Sequence, residues 1–273
     1  MKKSKKQYSI CIATYFDKNF KEVGDLSLKG MRKYAKKYRF DLVVDNQIKS
    51  RRPPAWNKIL LVQKLLSSKK NYDFVLWIDP DTLFFRLDKD IREEIQEGKD
   101  FYLVKSNSTG QELPLTGVFL IRNSDWSKEF LKNVWALKKY TYHNWWENAA
   151  VDELIGYKDV INYNPLKLFV TGILSKLKCK KLATNLANKI KTTFNLLKNK
   201  NTLLQKKQII KNKKFFSHKD HEKVKWLGLE WDSLINAEEA RNPIIMHYPA
   251  MSIKERFKKM SSDLMKLREV YSR

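Results

Sequence analysis

The chain has 273 residues, 42% of them hydrophobic, which suits one α/β domain, or one domain with an appended piece, and excludes global disorder. Its two cysteines, Cys11 and Cys179, lie far apart without metal-site spacing. That excludes a disulfide scaffold or a zinc module and fits a reducing compartment. The formal net charge is +25, and fifteen lysines between residues 160 and 219, a stretch without Asp or Glu, supply most of it.

Tyr8–Phe16 reads as a strand, Asp25–Tyr38 as a helix with a basic outer face, and Phe40–Asp45 as a second strand. This β-α-β opening is typical of a parallel sheet. Arg51-Arg-Pro-Pro-Ala-Trp56 is a turn whose prolines start the next helix, Ala55–Ser67, with Ile59, Val62 and Leu66 on one face. The apolar run Phe74–Ile78 then has the length and β-rich composition of a strand buried on both faces. Pro80 cannot donate to a ladder, so the strand stops there. Beyond a second apolar run, Thr82–Phe85, come a short helix at Ile91–Gln96, strands at Phe101–Lys105 and Thr116–Arg122, and helices at Trp126–Tyr140 and Trp145–Ile155. Asn123-Ser-Asp125 is a good start for the first of these helices.

In the basic stretch, Leu166, Leu168, Phe169, Ile173, Leu174 and Leu177 alternate with lysines. Such a pattern either lies in a membrane interface or packs its apolar side on the main domain. A solvated basic face is the plainer reading of the charge, and anionic lipid, nucleic acid or a phosphorylated carrier are the partners it would attract. The stretch lacks a recognisable nucleic-acid module, which disfavours RNA and DNA. Pro243–His247 reads as a late strand and Ile253–Tyr271 as a basic amphipathic helix. No apolar run approaches the roughly 18–20 residues that span a bilayer, and Met1–Gln7 does not lead into a signal-peptide core. A soluble or membrane-surface protein is expected.

Asp79 and Asp81 stand at the carboxyl end of a central strand, where open α/β sheets bind ligands. Either they cap the turn, or they hold Mn²⁺ or Mg²⁺ against a phosphorylated ligand, since charges in so apolar a setting need compensation. Among four histidines, His247 also sits where a strand gives way to a turn, as a structural residue or a third ligand. Trp145-Trp146-Glu147-Asn148 either presents indole faces and hydroxyl-binding groups to a sugar, or contributes core and a helix cap. Lys58 either only opens its helix or reaches a phosphate or sugar.

Five motifs then occur in a familiar order: Arg52-Pro-Pro-Ala-Trp-Asn-Lys58, Trp77-Ile-Asp-Pro-Asp-Thr82, Thr116-Gly-Val-Phe-Leu-Ile-Arg-Asn-Ser124, Trp146-Glu-Asn-Ala-Ala150 and Met246-His-Tyr-Pro-Ala250. The chain resembles the family of fungal α-galactosyl- and α-mannosyltransferases and plant xyloglucan xylosyltransferases, glycosyltransferase family 34. The resemblance covers about 8–164 and resumes near 231–257. It implies a GT-A fold, an α/β architecture with a mostly parallel central sheet flanked by helices. A core over 1–164, a lysine-rich helical insertion over 165–219 and a return to the core over 220–273 with an amphipathic helix are expected.

The resemblance further implies a retaining transfer of a hexose or pentose from a UDP- or GDP-sugar, with Mn²⁺ (or Mg²⁺), to a glycan or lipid-linked saccharide. Asp79, Asp81 and His247 would hold the metal, and Thr14 and Tyr15 the nucleobase and ribose. As catalytic residues, Lys58 would approach the donor sugar or diphosphate and, with the metal, stabilise the departing diphosphate, and Glu147 and Asn148 would contact the donor sugar, either one stabilising positive charge at the anomeric carbon or orienting the attacking hydroxyl. Three positions depart from the family: Leu115 where an Asn usually precedes Thr-Gly, Asn148 in place of Gln, and Ala250 in place of Gly. They imply a lost hydroxyl contact, an altered sugar choice and a different loop over the diphosphate. With no Golgi-type anchor, a cytoplasmic bacterial or viral relative is expected, peripheral at the inner face of a membrane through 165–219. The rivals are a sugar nucleotidyltransferase, which would want a glycine- and basic-rich loop where Thr14-Tyr-Phe-Asp17 stands, and a basic membrane- or nucleic-acid-binding protein with an inactive GT-A-like fold.

Overall fold

The computed structural model describes residues 8–107, 112–157, 222–235, 237 and 242–267. The readings made for the lysine-rich stretch fall outside these residues. Strand β1 (Ile10–Tyr15), helix α1 (Lys21–Tyr38) and β2 (Asp41–Asp45) form the expected β-α-β unit, with β1 and β2 parallel. A 3₁₀ turn at Lys18–Phe20 starts α1 four residues earlier than its apolar pattern suggests; Asp17 caps that turn by accepting from the amides of Asn19 and Phe20. Arg39, left-handed at φ 58°, ends α1 by donating its N–H to the Ala35 carbonyl. The two prolines make a 3₁₀ turn, Pro54–Trp56, before α2 (Asn57–Leu66).

Next come β3 (Phe74–Ile78), β4 (Thr82–Phe84), β5 (Phe101–Ser106) and β6 (Leu113–Arg122). Helix α3 (Asp125–Ala136) is capped by the Ser124 hydroxyl and stops short of Tyr140, and α4 covers Trp146–Leu154. After the undescribed stretch follow β7 (Val224–Leu227), β8 (Ser233–Leu234), β9 (Ile245–His247) and α5 (Ile253–Lys266). Neither β7 nor β8 stands out in the sequence, because each is too short to show a period.

Six strands form one sheet in the order β2-β1-β3-β6-β5-β7, in which only β6 runs against the others. A second sheet, β4-β9-β8, begins just past the carboxyl end of β3, across the Asp79–Asp81 turn. Every residue of β3 is buried. Val75 and Trp77 point into a cluster shared with α2, α3 and α4, whereas Phe74, Leu76 and Ile78 point into one shared with α1. Both faces are therefore covered, and each large side chain so buried contributes on the order of 1.5–3 kcal/mol. This rigid central strand delivers Asp79 and Asp81 at its carboxyl end. Among the described residues, no helix is long and apolar enough to cross a membrane.

Candidate active site

The Asp79-Pro80-Asp81 turn is clamped from both sides. The Asp79 amide donates to the Gly117 carbonyl of β6 at 2.8 Å, and the Tyr248 amide donates to the Asp81 carbonyl at 2.9 Å. Antiparallel pairing of β4 with β9 places Thr82 opposite His247. The imidazole and both carboxylates thereby converge, with one ligand atom of each lying within 4.8 Å of the others. His247 Nε2 is 3.5 Å from Asp81 Oδ1 and 4.0 Å from Asp79 Oδ2.

Two residues hold His247 in this pose. Its Nδ1 lies 2.9 Å from Oδ1 of the fully buried Asp232, whose other oxygen accepts the Val118 amide at 3.0 Å. With Nδ1 occupied by that carboxylate, Nε2 is the nitrogen presented to the aspartate pair, as in many metal-binding histidines. Gly117 makes the approach possible. A Cβ there would lie 2.3 Å from His247 Cε1 and 2.5 Å from Nδ1.

Lys58 closes the other side. Its Nζ contacts Glu147 Oε1 at 2.8 Å, the Thr116 carbonyl at 2.8 Å and Asp79 Oδ1 at 3.0 Å. Asp79 Oδ1 also accepts the Trp77 indole N–H at 2.7 Å. Behind Glu147, the Asn148 amide oxygen accepts the Thr116 N–H and hydroxyl at 2.9 and 2.8 Å, and its NH₂ donates to Asp152 at 2.8 Å. Glu147 is buried, and its Oε2 has no partner among the described residues. Trp145 packs half-buried against the core, while Trp146, at φ 44°, is 44% exposed and faces the cleft.

The electrostatics follow from this packing. Burial pushes the Asp79 carboxyl up to about 6, against the pull of Lys58. Burial raises Asp81 as well, but His247 and Arg256 outweigh it and hold that carboxyl below its usual range. Burial favours neutral His247, yet Asp232 and Asp81 prevail and raise its proton affinity well above the ordinary value. Positive charge is thus stabilised between these side chains. Two carboxylates and an oriented imidazole form a donor set that fits Mn²⁺ or Mg²⁺.

A cleft of about 350 Å³ opens over the pair, walled by Tyr15, Phe16, Phe20, Lys58, Trp146 and Arg256 together with Asp79 and Asp81. Residues 49–226, more than half of the chain, match the model of one family, described as nucleotide-diphospho-sugar transferase. The chain belongs to that family. This transferase is 25% identical over 163 residues to the probable α-1,6-mannosyltransferase MNN10 of Saccharomyces cerevisiae, a match spanning 47% of this chain and 41% of the yeast protein. The aligned part is therefore less than half the length of that relative. The fold is shared with a glycosyltransferase involved in the glycosylation of the major capsid of PBCV-1, at TM-score 0.57 and 12% identity, over 93% of this chain and 99% of that one. The glycosyltransferase GlyE of Streptococcus pneumoniae matches at TM-score 0.45 and 14% identity, over 97% of this chain and 62% of that one. The protein is a glycosyltransferase of GT-A architecture, in agreement with the motifs read from its sequence.

Of the residues singled out in the sequence, the transferase brings Lys58, Asp79, Asp81, Glu147 and His247 into one cluster, with Asn148 bonded behind it. Tyr15 lines the cleft; Thr14 is buried beside it, its hydroxyl without a partner among the described residues. Asp232 and Arg256 were not singled out. Arg256 had a signal: Arg256, Met260 and Asp263 fall on one buried stripe of α5, where two charges call for partners.

Proposed function

We propose that this transferase is a metal-dependent, retaining enzyme that moves a hexose or pentose from a UDP- or GDP-sugar to a glycan or glycolipid. The observation that carries this reading is the convergence of Asp79, Asp81 and His247 at the cleft. These three residues hold Mn²⁺ or Mg²⁺. The metal, when bound, offsets the diphosphate charge and the charge that grows on the departing nucleotide.

The chain's own residues orient the reactants. Tyr15 flanks the nucleobase and ribose, with Thr14 behind it. Lys58 fixes Asp79, and together with Glu147 and Asn148 it forms the donor-sugar side of the site. Glu147 Oε2 supports that assignment, because a buried carboxylate oxygen without a donor is costly and a sugar hydroxyl supplies one. Retention follows the family resemblance, and the name of the yeast relative makes mannose the first donor sugar to try. The lysines of 160–219 support a cytoplasmic enzyme held peripherally at an anionic membrane, close to lipid-linked acceptors.

The test is release of nucleoside diphosphate from a panel of UDP- and GDP-hexoses and pentoses, with Mn²⁺ and with excess chelator, followed by the anomeric configuration of the product. Release from one donor that stops in chelator, with retained configuration, is the expected result. Full release in chelator contradicts the metal role, and an inverted product contradicts retention. Pelleting with anionic vesicles that salt reverses tests the membrane contact separately.

A further inference from the structure

The two cations that wall the cleft are not equivalent. A lysine ammonium has three N–H donors, and those of Lys58 go to Glu147 Oε1 and the Thr116 carbonyl, each at 2.8 Å, and to Asp79 Oδ2 at 3.4 Å, with Oδ1 of the same carboxylate 3.0 Å away. None remains for a ligand. Arg256, from α5, uses its Nε toward the Tyr248 carbonyl at 2.7 Å, and that atom also lies 3.2 Å from Asp81 Oδ2. Its two terminal nitrogens donate no hydrogen bond among the described residues, although the side chain is 10% exposed and borders the cleft beside Asp81. An arginine so placed keeps a planar pair of donors, whose geometry matches phosphate oxygens.

The pose is anchored. The capping box of Ser252 and Glu255 fixes where α5 begins, and Asp263 accepts the Tyr248 hydroxyl at 2.9 Å, tying the helix to the turn that follows β9. The guanidinium also stacks 5.1 Å from the Phe20 ring centre.

We propose that Arg256 binds the diphosphate of the donor and stabilises it as the leaving group, the role that the sequence assigned to Lys58. The proposal rests on the donor reading given above. No covalent bond to Arg256 forms: the bond from sugar C1 to the diphosphate oxygen breaks with its electron pair left on that oxygen, C1 bonds to the acceptor hydroxyl oxygen, the hydroxyl proton passes to the departing diphosphate, and the guanidinium meets the leaving charge through its terminal N–H groups.

The test is calorimetric binding of UDP, GDP, CDP and ADP, and of the matching nucleosides, to wild type and R256Q, in Mn²⁺ and again in EDTA. The best-bound nucleoside diphosphate is expected to lose roughly ten- to hundredfold in affinity in R256Q, in both buffers, while its nucleoside binds unchanged. R256K, which keeps the charge without the fork, is expected to fall between. Equal loss for nucleoside and diphosphate, or a diphosphate affinity unchanged in R256Q, overturns the proposal. Loss in EDTA for the wild type with no effect of R256Q keeps the metal site and overturns only the arginine. A wild type that binds none of the four contradicts the donor reading and the proposal with it.

Discussion

The two flanks of the aspartate pair are built differently. On the α2/α4 flank, Lys58 at the cleft wall and Glu147, Thr116, Asn148 and Asp152 behind it form a polar chain whose groups mostly satisfy one another. On the β9/α5 flank, His247 Nε2 faces the aspartates and Arg256 borders the cleft, each steadied from behind by Asp232 or the Tyr248 carbonyl. Among the described residues, one flank makes most of its hydrogen bonds internally and leaves Glu147 Oε2 over, and the other keeps the terminal donors of its arginine free. A charged motif residue near an active site is therefore not automatically the residue that touches the substrate, and counting its hydrogen-bond donors separates the two cases.

The largest expected effect breaks the α2/α4 flank. Lys58→Met leaves the buried Glu147 and the partly buried Asp79 without their shared cation and should cost about 3–5 kcal/mol in urea unfolding, because removing one partner strands the other charges. Lys58→Met combined with Glu147→Leu should recover part of that loss without restoring transfer. A single variant as stable as wild type contradicts that role of Lys58.

Gly117→Ala probes the junction between the flanks. Its Cβ meets the His247 ring at 2.3 Å, so the ring must move. A stability loss of about 1–3 kcal/mol is expected, with a weaker Mn²⁺-induced rise in Tm. A Mn²⁺ response equal to that of wild type shows that the ring position does not matter.

The smallest effect is a pH dependence at the end of the polar chain. Burial raises the Asp152 carboxyl well above its ordinary range, against the pull of the Asn148 hydrogen bond. The folded state then keeps a proton that the unfolded chain loses near pH 4, so this group's contribution to stability falls as pH rises toward the folded value. Asp152→Asn has no such proton to lose. Its stability relative to wild type should rise as the pH goes from 4.5 to 7.5 in paired urea titrations. A difference that is flat with pH contradicts the assignment.

Much of this architecture is legible in the chain. The Phe74–Ile78 run, the β-α-β opening and the turn at Pro80 follow from apolar pattern and backbone chemistry alone, because a strand covered on both faces must be apolar throughout. Asp79 and Asp81 stand out for the same reason. His247 emerged through family resemblance, since one histidine after a short strand has no chemical signature. Asp232 is invisible: it sits more than a hundred residues from its partner Val118, between Trp231 and Ser233, and only the fold brings it to His247. The placement of Lys58 near the site was readable, but its three acceptors come from three separate elements, and no sequence pattern counts them.

The central claim is that Asp79, Asp81 and His247 form one cation site. Direct titration of Mn²⁺ into wild type, Asp81→Asn and His247→Ala, read by loss of the free-ion electron paramagnetic resonance signal, tests it most simply. One bound ion per wild-type chain is expected, with affinity lower by at least about tenfold in each variant and unfolding transitions that remain cooperative. Unaltered Mn²⁺ binding in both variants contradicts the claim.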